Sequence, residues 1–349
     1  MLRTGPARRS AREAAACQGR ARNEVLAPAP AARNTFAPVA AAAAQEFCSP
    51  FSHPLAILLA RPRLRRALVL GAKLAFVAGA FYFVFHRIDV RDVRRVLATA
   101  RPGWLALAAG LFALSKWLSA RRLNHFFRAI AVPLSEAENL RLYWLGMYYN
   151  LFLPGGVGGD GYKVYLLRRR FPGKTTALVR ALLLDRVSGV LALGVLAGVL
   201  FAFVPAVPLP WRLLVLGAVP VGVAASYWLS GWFFPEFQPL FGRAGWLGLG
   251  VQGAQVLCAW ALLAGTGTTG HVVEYLVVFL ISSVVAVLPL TVGGIGAREV
   301  TFLLGAQVLH LDAAVSVTIS LTFYFITAAV ALPGAVFNFG MKAEGRPAA

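Results

Sequence analysis

The chain has 349 residues, 58% hydrophobic and 14% charged, with a mean hydropathy of +0.68. Soluble domains are nearer half apolar and a quarter charged, so an ordinary soluble protein is excluded and an integral membrane protein is expected. The formal net charge of +20 lies between apolar runs and in the N-terminal stretch, which suits membrane orientation and anionic headgroups rather than nucleic acid.

Residues 1–60 are rich in Ala, Arg and Pro and carry no apolar period. Eleven Arg precede residue 67, against only Glu13, Glu24 and Glu46. The composition predicts a disordered basic tail; an organellar transit peptide or a mis-assigned start codon are the other readings. A transmembrane domain is expected over 61–340 and a short cytoplasmic tail over 341–349.

The first apolar run, 67–85, predicts a span, with Lys73 near enough to its end to snorkel. Residues 88–101 read as a surface helix with Val93 and Leu97 on its apolar side. A second span runs over 104–118 and stops at Arg121–Arg122. Residues 139–153 form an aromatic, apolar helix that leads into a glycine-rich break. Lys163, Arg168, Arg169, Arg170 and Lys174 follow it. Further apolar runs cover 177–203, 211–230, 246–264, 272–288, 300–309 and 313–339. The fold class is therefore an all-α polytopic membrane protein of about eight hydrophobic helices.

Two of these runs end in related sequences. Residues 153–163 read LPGGVGGDGYK and residues 288–298 read LPLTVGGIGAR. Leu153, Pro154, Val157, Gly158, Gly159 and Gly161 recur as Leu288, Pro289, Val292, Gly293, Gly294 and Gly296, and Lys163 recurs as Arg298. Backbone groups in hydrocarbon must be paired, so such breaks survive only inside protein or beside a water-filled cavity. Corresponding breaks in two halves of a membrane protein point to a transport site. Gly103-Trp104-Leu105 and Gly245-Trp246-Leu247 open the helices that precede the two breaks. Three spans separate Arg168–Arg170 from the second break, which places the breaks on opposite sides, as in an inverted repeat. Hydropathy fits either re-entrant or fully crossing hairpins.

Charge asymmetry sets the orientation. The loops at 204–210 and 265–270 carry no charge and are placed outside. The N-terminus, Arg168–Arg170 and Lys342 are placed inside, although residues 87–101, with five Arg, then fall outside.

Few motifs compete with this reading. Gly156-x-Gly158-x-x-Gly161 fits a dinucleotide fingerprint formally, but a membrane helix, not a strand, precedes it. The five histidines are scattered, and Cys17, Cys48 and Cys258 form no zinc or redox pattern, so no metal or cofactor is expected. Gly194 and Gly198 form a helix-packing GxxxG. Tyr148, Tyr149 and Tyr324 read as packing or interfacial residues. Ionisable groups at membrane depth are functional candidates with a partner to be named. Asp160 is expected to pair with Lys163 or Arg186, Arg298 with Glu299, and Asp185 and Arg186 with groups across the bundle.

Asn150 through Asp160 (NLFLPGGVGGD), Asp185–Arg186–Val–Ser–Gly189 and Gly293–Gly–Ile–Gly–Ala–Arg–Glu299 together resemble the lysylphosphatidylglycerol synthase transmembrane-domain family. The resemblance covers roughly residues 67–340, with Asp185 where Glu is equally expected. It implies a flippase-like module that moves a lipid, often aminoacylated or otherwise modified, between leaflets. Synthase members carry a soluble aminoacyl-transferase domain after this module; the sequence stops at Ala349, so that activity is expected to be absent and no enzyme is expected.

The sequence reading is thus a lipid flippase or lipid-transport component of a bacterial inner membrane, multi-pass, with both termini cytoplasmic. Its partner is an anionic or modified phospholipid, with a homo-oligomer or a lipid-modifying enzyme as further partners. The headgroup is expected at Asn150, Gly155, Gly156, Gly158, Gly159, Asp160, Lys163, Asp185, Arg186, Gly293, Gly294, Gly296, Arg298 and Glu299. The cations would meet the phosphate, and glycine backbone would allow close approach. An ion-coupled transporter of a small solute, with Asp160 and Glu299 titrating, and a non-catalytic partner of an envelope lipid- or glycosyl-transferase are the alternatives.

Overall fold

The computed structural model describes residues 101–152, 158–287 and 296–337, together with Tyr82, Arg91 and Ala98. The expected N-terminal tail, the first span, most of the surface helix at 88–101 and the C-terminal tail lie outside the described residues. So do 153–157 and 288–295 of the two breaks. Among the described residues there are nine α-helices, one 3-10 helix and no strand.

Helix α1 (Pro102–Ala129) opens on proline, whose missing N–H is no loss in a first turn. It is about 42 Å long, against a hydrocarbon core of about 30 Å. The expected stop at Arg121–Arg122 does not occur. Arg122 is buried inside the helix and its Nε donates to Asp185 Oδ1 at 2.8 Å. A cation paired within the bundle no longer marks the membrane boundary, so the helix continues to Ala129.

Two short helices follow. Helix α2 (Glu136–Phe152) starts at the end where α1 finishes: Asn124 Nδ2 and an Arg128 amino group donate to Glu136 Oε1. Helix α3 (Gly158–Arg170) returns to that same end, because Arg170 Nη1 donates to Glu138 Oε1 at 2.9 Å. At 17 residues, α2 reaches only about 25 Å. The first hairpin is therefore re-entrant.

Helix α4 (Thr175–Phe201) departs from the same end, where Lys174 Nζ donates to Ile130 O. Helix α5 (Leu209–Phe233) comes back, and a 3-10 turn (Pro235–Leu240) leads into α6 (Phe241–Gly265). No residue of α5 is buried, so it faces lipid along its length. Trp211 near its start, and Trp228 and Trp232 near its finish, are exposed as aromatic anchors are. The GxxxG is only half a packing motif: a Cβ at Gly198 would meet Val219 at 2.5 Å, whereas Gly194 has nothing within 4 Å. Both glycines line an apolar cavity of about 500 Å³ between α4 and α5.

Helices α1 and α6 form the central pair, and they run antiparallel. The Arg101 N–H donates to Gly265 O, and Trp104 meets Trp260 edge to face at 5.4 Å. At the other end Gly248 faces Arg122.

Helix α7 (Val272–Val287) then enters from the end opposite to α2, and α8 (Ala297–Val308) returns to it: the Asp312 N–H donates to Tyr275 Oη at 3.1 Å. The second hairpin is also re-entrant, from the other face. Helix α9 (Ala313–Ala331) crosses back, opened by Asp312 accepting the Val315 N–H as an N-cap.

The packing obeys the repeat. Helix α4 packs on α7 as α9 packs on α2, and α3 packs on α4 as α8 packs on α9. Antiparallel α1 and α6 then relate two inverted halves. There are two main apolar cores, one around Phe126, Phe127, Leu142 and Leu178, the other around Phe279, Phe302 and Phe323 with Phe112 of α1 packed among them. The chain is a multi-pass membrane protein, with five helical segments among the described residues long and apolar enough to cross.

Candidate functional site

Each hairpin carries its charges where its second helix begins. In the first half, Asp160 lies in the first turn of α3, where the helix dipole favours an anion. Lys163, one turn later, donates to Asp160 Oδ1 at 3.0 Å and sits 4.6 Å above the Tyr143 ring. Arg186 of α4 donates to Asp160 Oδ2. Its neighbour Asp185 accepts instead from Arg122 of α1. Adjacent helical residues point about 100° apart, so Asp185 and Arg186 serve different partners. Arg122, Asp160, Lys163, Asp185 and Arg186 thus fasten α1, α3 and α4 together.

Backbone contact completes this cluster. Asn150 Oδ1 accepts the Gly159 N–H at 2.8 Å and so ties the last turn of α2 to the first turn of α3. A Cβ on Gly159 would lie 2.0 Å from Gly146 O, and one on Gly146 would lie 2.3 Å from Lys163 Cε. At Gly159 the obstacle is backbone, so only glycine lets the two helices touch; at Gly146 it is the lysine stem, which would have to shift. Gly161 has nothing within 4 Å.

The second half differs. Gly296 has φ +84°, a left-handed conformation that only glycine adopts easily, and it turns the chain into α8. Glu299 Oε2 accepts the Gly296 N–H at 2.7 Å, and Oε1 accepts from Ser320 Oγ at 3.0 Å. The expected Arg298–Glu299 pair is therefore absent. The two side chains leave the helix in different directions, and the carboxylate folds back to cap the helix start. Arg298 Nη2 donates to Ser283 Oγ at 3.2 Å, and its guanidinium lies near the rings of Phe323 (4.5 Å) and Phe279 (5.5 Å). Its Nη1 is buried with no acceptor among the described residues. Arg298 lines a cavity of about 140 Å³ in which Lys116, Gln255, Glu299 and Tyr324 stand among apolar side chains such as Phe112 and Phe323.

Of the residues expected to form the site, Asn150, Gly159, Asp160, Lys163, Asp185 and Arg186 come together in the first cluster. Gly296, Arg298 and Glu299 meet in the second. Gly158 opens α3, while Gly155, Gly156, Gly293 and Gly294 lie outside the described residues. The sequence reading missed Arg122, Lys116 and Gln255. A signal existed: each is polar within an apolar helix, but Arg122 resembles an interfacial stop, and Lys116 lies two residues from the expected end of a span. Tyr324, read as packing or interfacial, borders that cavity.

No curated protein matches the chain. The model for the lysylphosphatidylglycerol synthase TM region matches residues 70–244, half of the sequence, taking in the first break, Asp185 and Arg186 and ending shortly before the Gly248 contact with Arg122. With its re-entrant first hairpin and paired charges lying inside the matched segment, the chain belongs to the lysylphosphatidylglycerol synthase TM-region family.

Proposed function

We propose that the protein moves an anionic or modified phospholipid between the leaflets of a bacterial inner membrane, as a flippase or the membrane part of a lipid-transport system. The supporting observation is the pair of hairpins that re-enter from opposite faces and carry Lys163 and Arg298 at corresponding positions. A headgroup that crosses must lose water, which costs several kcal/mol for an ion. Fixed cations at depth offset that loss, and an arginine fork matches a phosphate. The acyl chains remain in lipid beside α5 and its neighbours. A solute carrier driven by carboxylate titration is less well supported, because both oxygens of Asp160 and of Glu299 accept bonds within the protein.

The test uses vesicles that contain only this protein and a trace of fluorescent phosphatidylglycerol. A membrane-impermeant quencher bleaches the outer leaflet at once. Transport predicts continued loss of the inner-leaflet signal, faster than in protein-free vesicles. A plateau identical to that of protein-free vesicles contradicts the proposal and favours a role as a non-transporting partner of another enzyme.

A further inference from the structure

The two halves share a backbone plan but not a charge plan. At the offset that carries Lys163 to Arg298, Asp160 becomes Ile295. Lys163 therefore has a carboxylate one turn before it, and Arg298 does not. The one carboxylate nearby, Glu299, already has both oxygens bonded to Gly296 and Ser320.

A second cation faces the same space. Lys116 lies at the middle of α1, about 20 Å from either end. Its Nζ rests 4.5 Å over the Phe112 ring, and no hydrogen bond or ion pair reaches it among the described residues. Gln255 and Tyr324 also border the cavity without a hydrogen-bond partner among the described residues. Four donors, two of them cationic, thus border a cavity of about 140 Å³ whose remaining lining is the Glu299 carboxylate, Thr327 and apolar side chains. That is the room of four or five waters, which suits a phosphate or carboxylate group and not a whole lipid. Lys116 and Arg298 share this cavity with a single carboxylate among the described residues, Glu299, whose oxygens are already bonded to Gly296 and Ser320; the excess positive charge is costly at this depth, and an entering anion relieves that cost.

We propose that this cavity is an oxyanion site, with Arg298 and Lys116 as cationic ligands and Gln255 and Tyr324 as neutral donors. That the oxyanion is a lipid phosphate rests on the transport reading above; the site itself does not.

The experiment measures binding to the purified full chain in detergent by calorimetry. The probes are short-chain phosphatidylglycerol, short-chain phosphatidylcholine and inorganic phosphate. Short-chain phosphatidylglycerol is expected to bind the unmodified protein. Lys116→Gln and Arg298→Gln are each expected to weaken binding about tenfold, the loss of one charge-assisted contact. Neither change strands a carboxylate, so the melting temperature of Lys116→Gln should be no lower than that of the unmodified chain. If Arg298→Gln fails to fold, Arg298→Lys takes its place, with weakened binding again expected because the fork is lost. Unchanged affinity in a stable Lys116→Gln, Arg298→Gln double variant overturns the site.

The probes also separate the sources of the anion. Competition by inorganic phosphate supports a general oxyanion site, and binding of phosphate without the lipid removes the lipid as ligand. Vesicle transport measured on the same variants separates the two claims. Transport that persists in the double variant removes this site from the pathway and leaves the transport reading intact. An unmodified protein that binds phosphate but moves no lipid does the reverse.

Discussion

Arg122 and Asp185 show how a charge becomes tolerable deep in the bundle. Arg122 is 5% exposed, and its guanidinium lies against Gly189 and Gly248, where any side chain would crowd it. Removing one member of a buried pair strands the other, at a cost of about 3–5 kcal/mol. Asp185→Asn is therefore expected to lower the melting temperature and the yield of folded protein sharply. Asp160 stands differently, because it holds two cations. Lys163→Gln leaves Arg186 in place, and the expected loss is smaller, about 1–3 kcal/mol. Thermal unfolding of both variants in one detergent checks the order; a Lys163→Gln variant less stable than Asp185→Asn contradicts it. At this scale the sequence was informative about which residues carry charge and poor on their pairing. Asp160 with Lys163 and Arg186 followed from proximity to the break. The absence of an Arg298–Glu299 pair did not, because adjacency in sequence says nothing of which way two side chains leave a helix.

The helical elements were largely legible, and for physical reasons. Proline and clustered glycines at depth can only mean an interrupted helix, so both breaks were found. Helices α6 and α9 end at glycine-containing loops, and α4 ends just before a loop with Pro205 and Pro208. The length of α1 was not legible, since a buried arginine and an interfacial one look alike until Asp185 is placed. Nor was re-entry, which shows only in the contacts of Glu138 with Arg170 and of Tyr275 with Asp312. Two predictions belong here. Glu138→Cys and Arg169→Cys should react with an impermeant thiol reagent from one side of the membrane, and Ala206→Cys and Thr268→Cys from the other. Labelling of positions 138 and 169 from opposite sides would show a crossing hairpin. Within the first hairpin, Gly159→Ala should destabilise strongly, because its Cβ meets the backbone carbonyl of Gly146. Gly161→Ala, open on every side, should be neutral or gain about 0.5–1 kcal/mol from the preference of helices for alanine. Equal stability of the two variants in a melting experiment contradicts this packing.

At the scale of the whole molecule, the two inverted halves meet along α1 and α6, and each sends one hairpin toward the middle from its own face. The two loops expected to be free of charge, 204–210 and 265–270, fall at one end of the bundle, while Arg168–Arg170 and Lys174 fall at the other. The charge asymmetry read from the sequence therefore agrees with the direction of the helices, and Arg101 stays at the uncharged end beside Gly265. The halves keep the same packing but not the same chemistry: one closes its charges into ion pairs, and the other leaves Arg298 and Lys116 facing a cavity. The central claim is that such a frame carries an anionic headgroup across. The most direct measurement compares fluorescent phosphatidylglycerol with fluorescent phosphatidylcholine in vesicles that hold only this protein. The account predicts that the anionic lipid leaves the inner leaflet faster than the zwitterionic one, and that Arg298→Gln reduces the difference. Equal rates for the two lipids, or rates no greater than in protein-free vesicles, would contradict it.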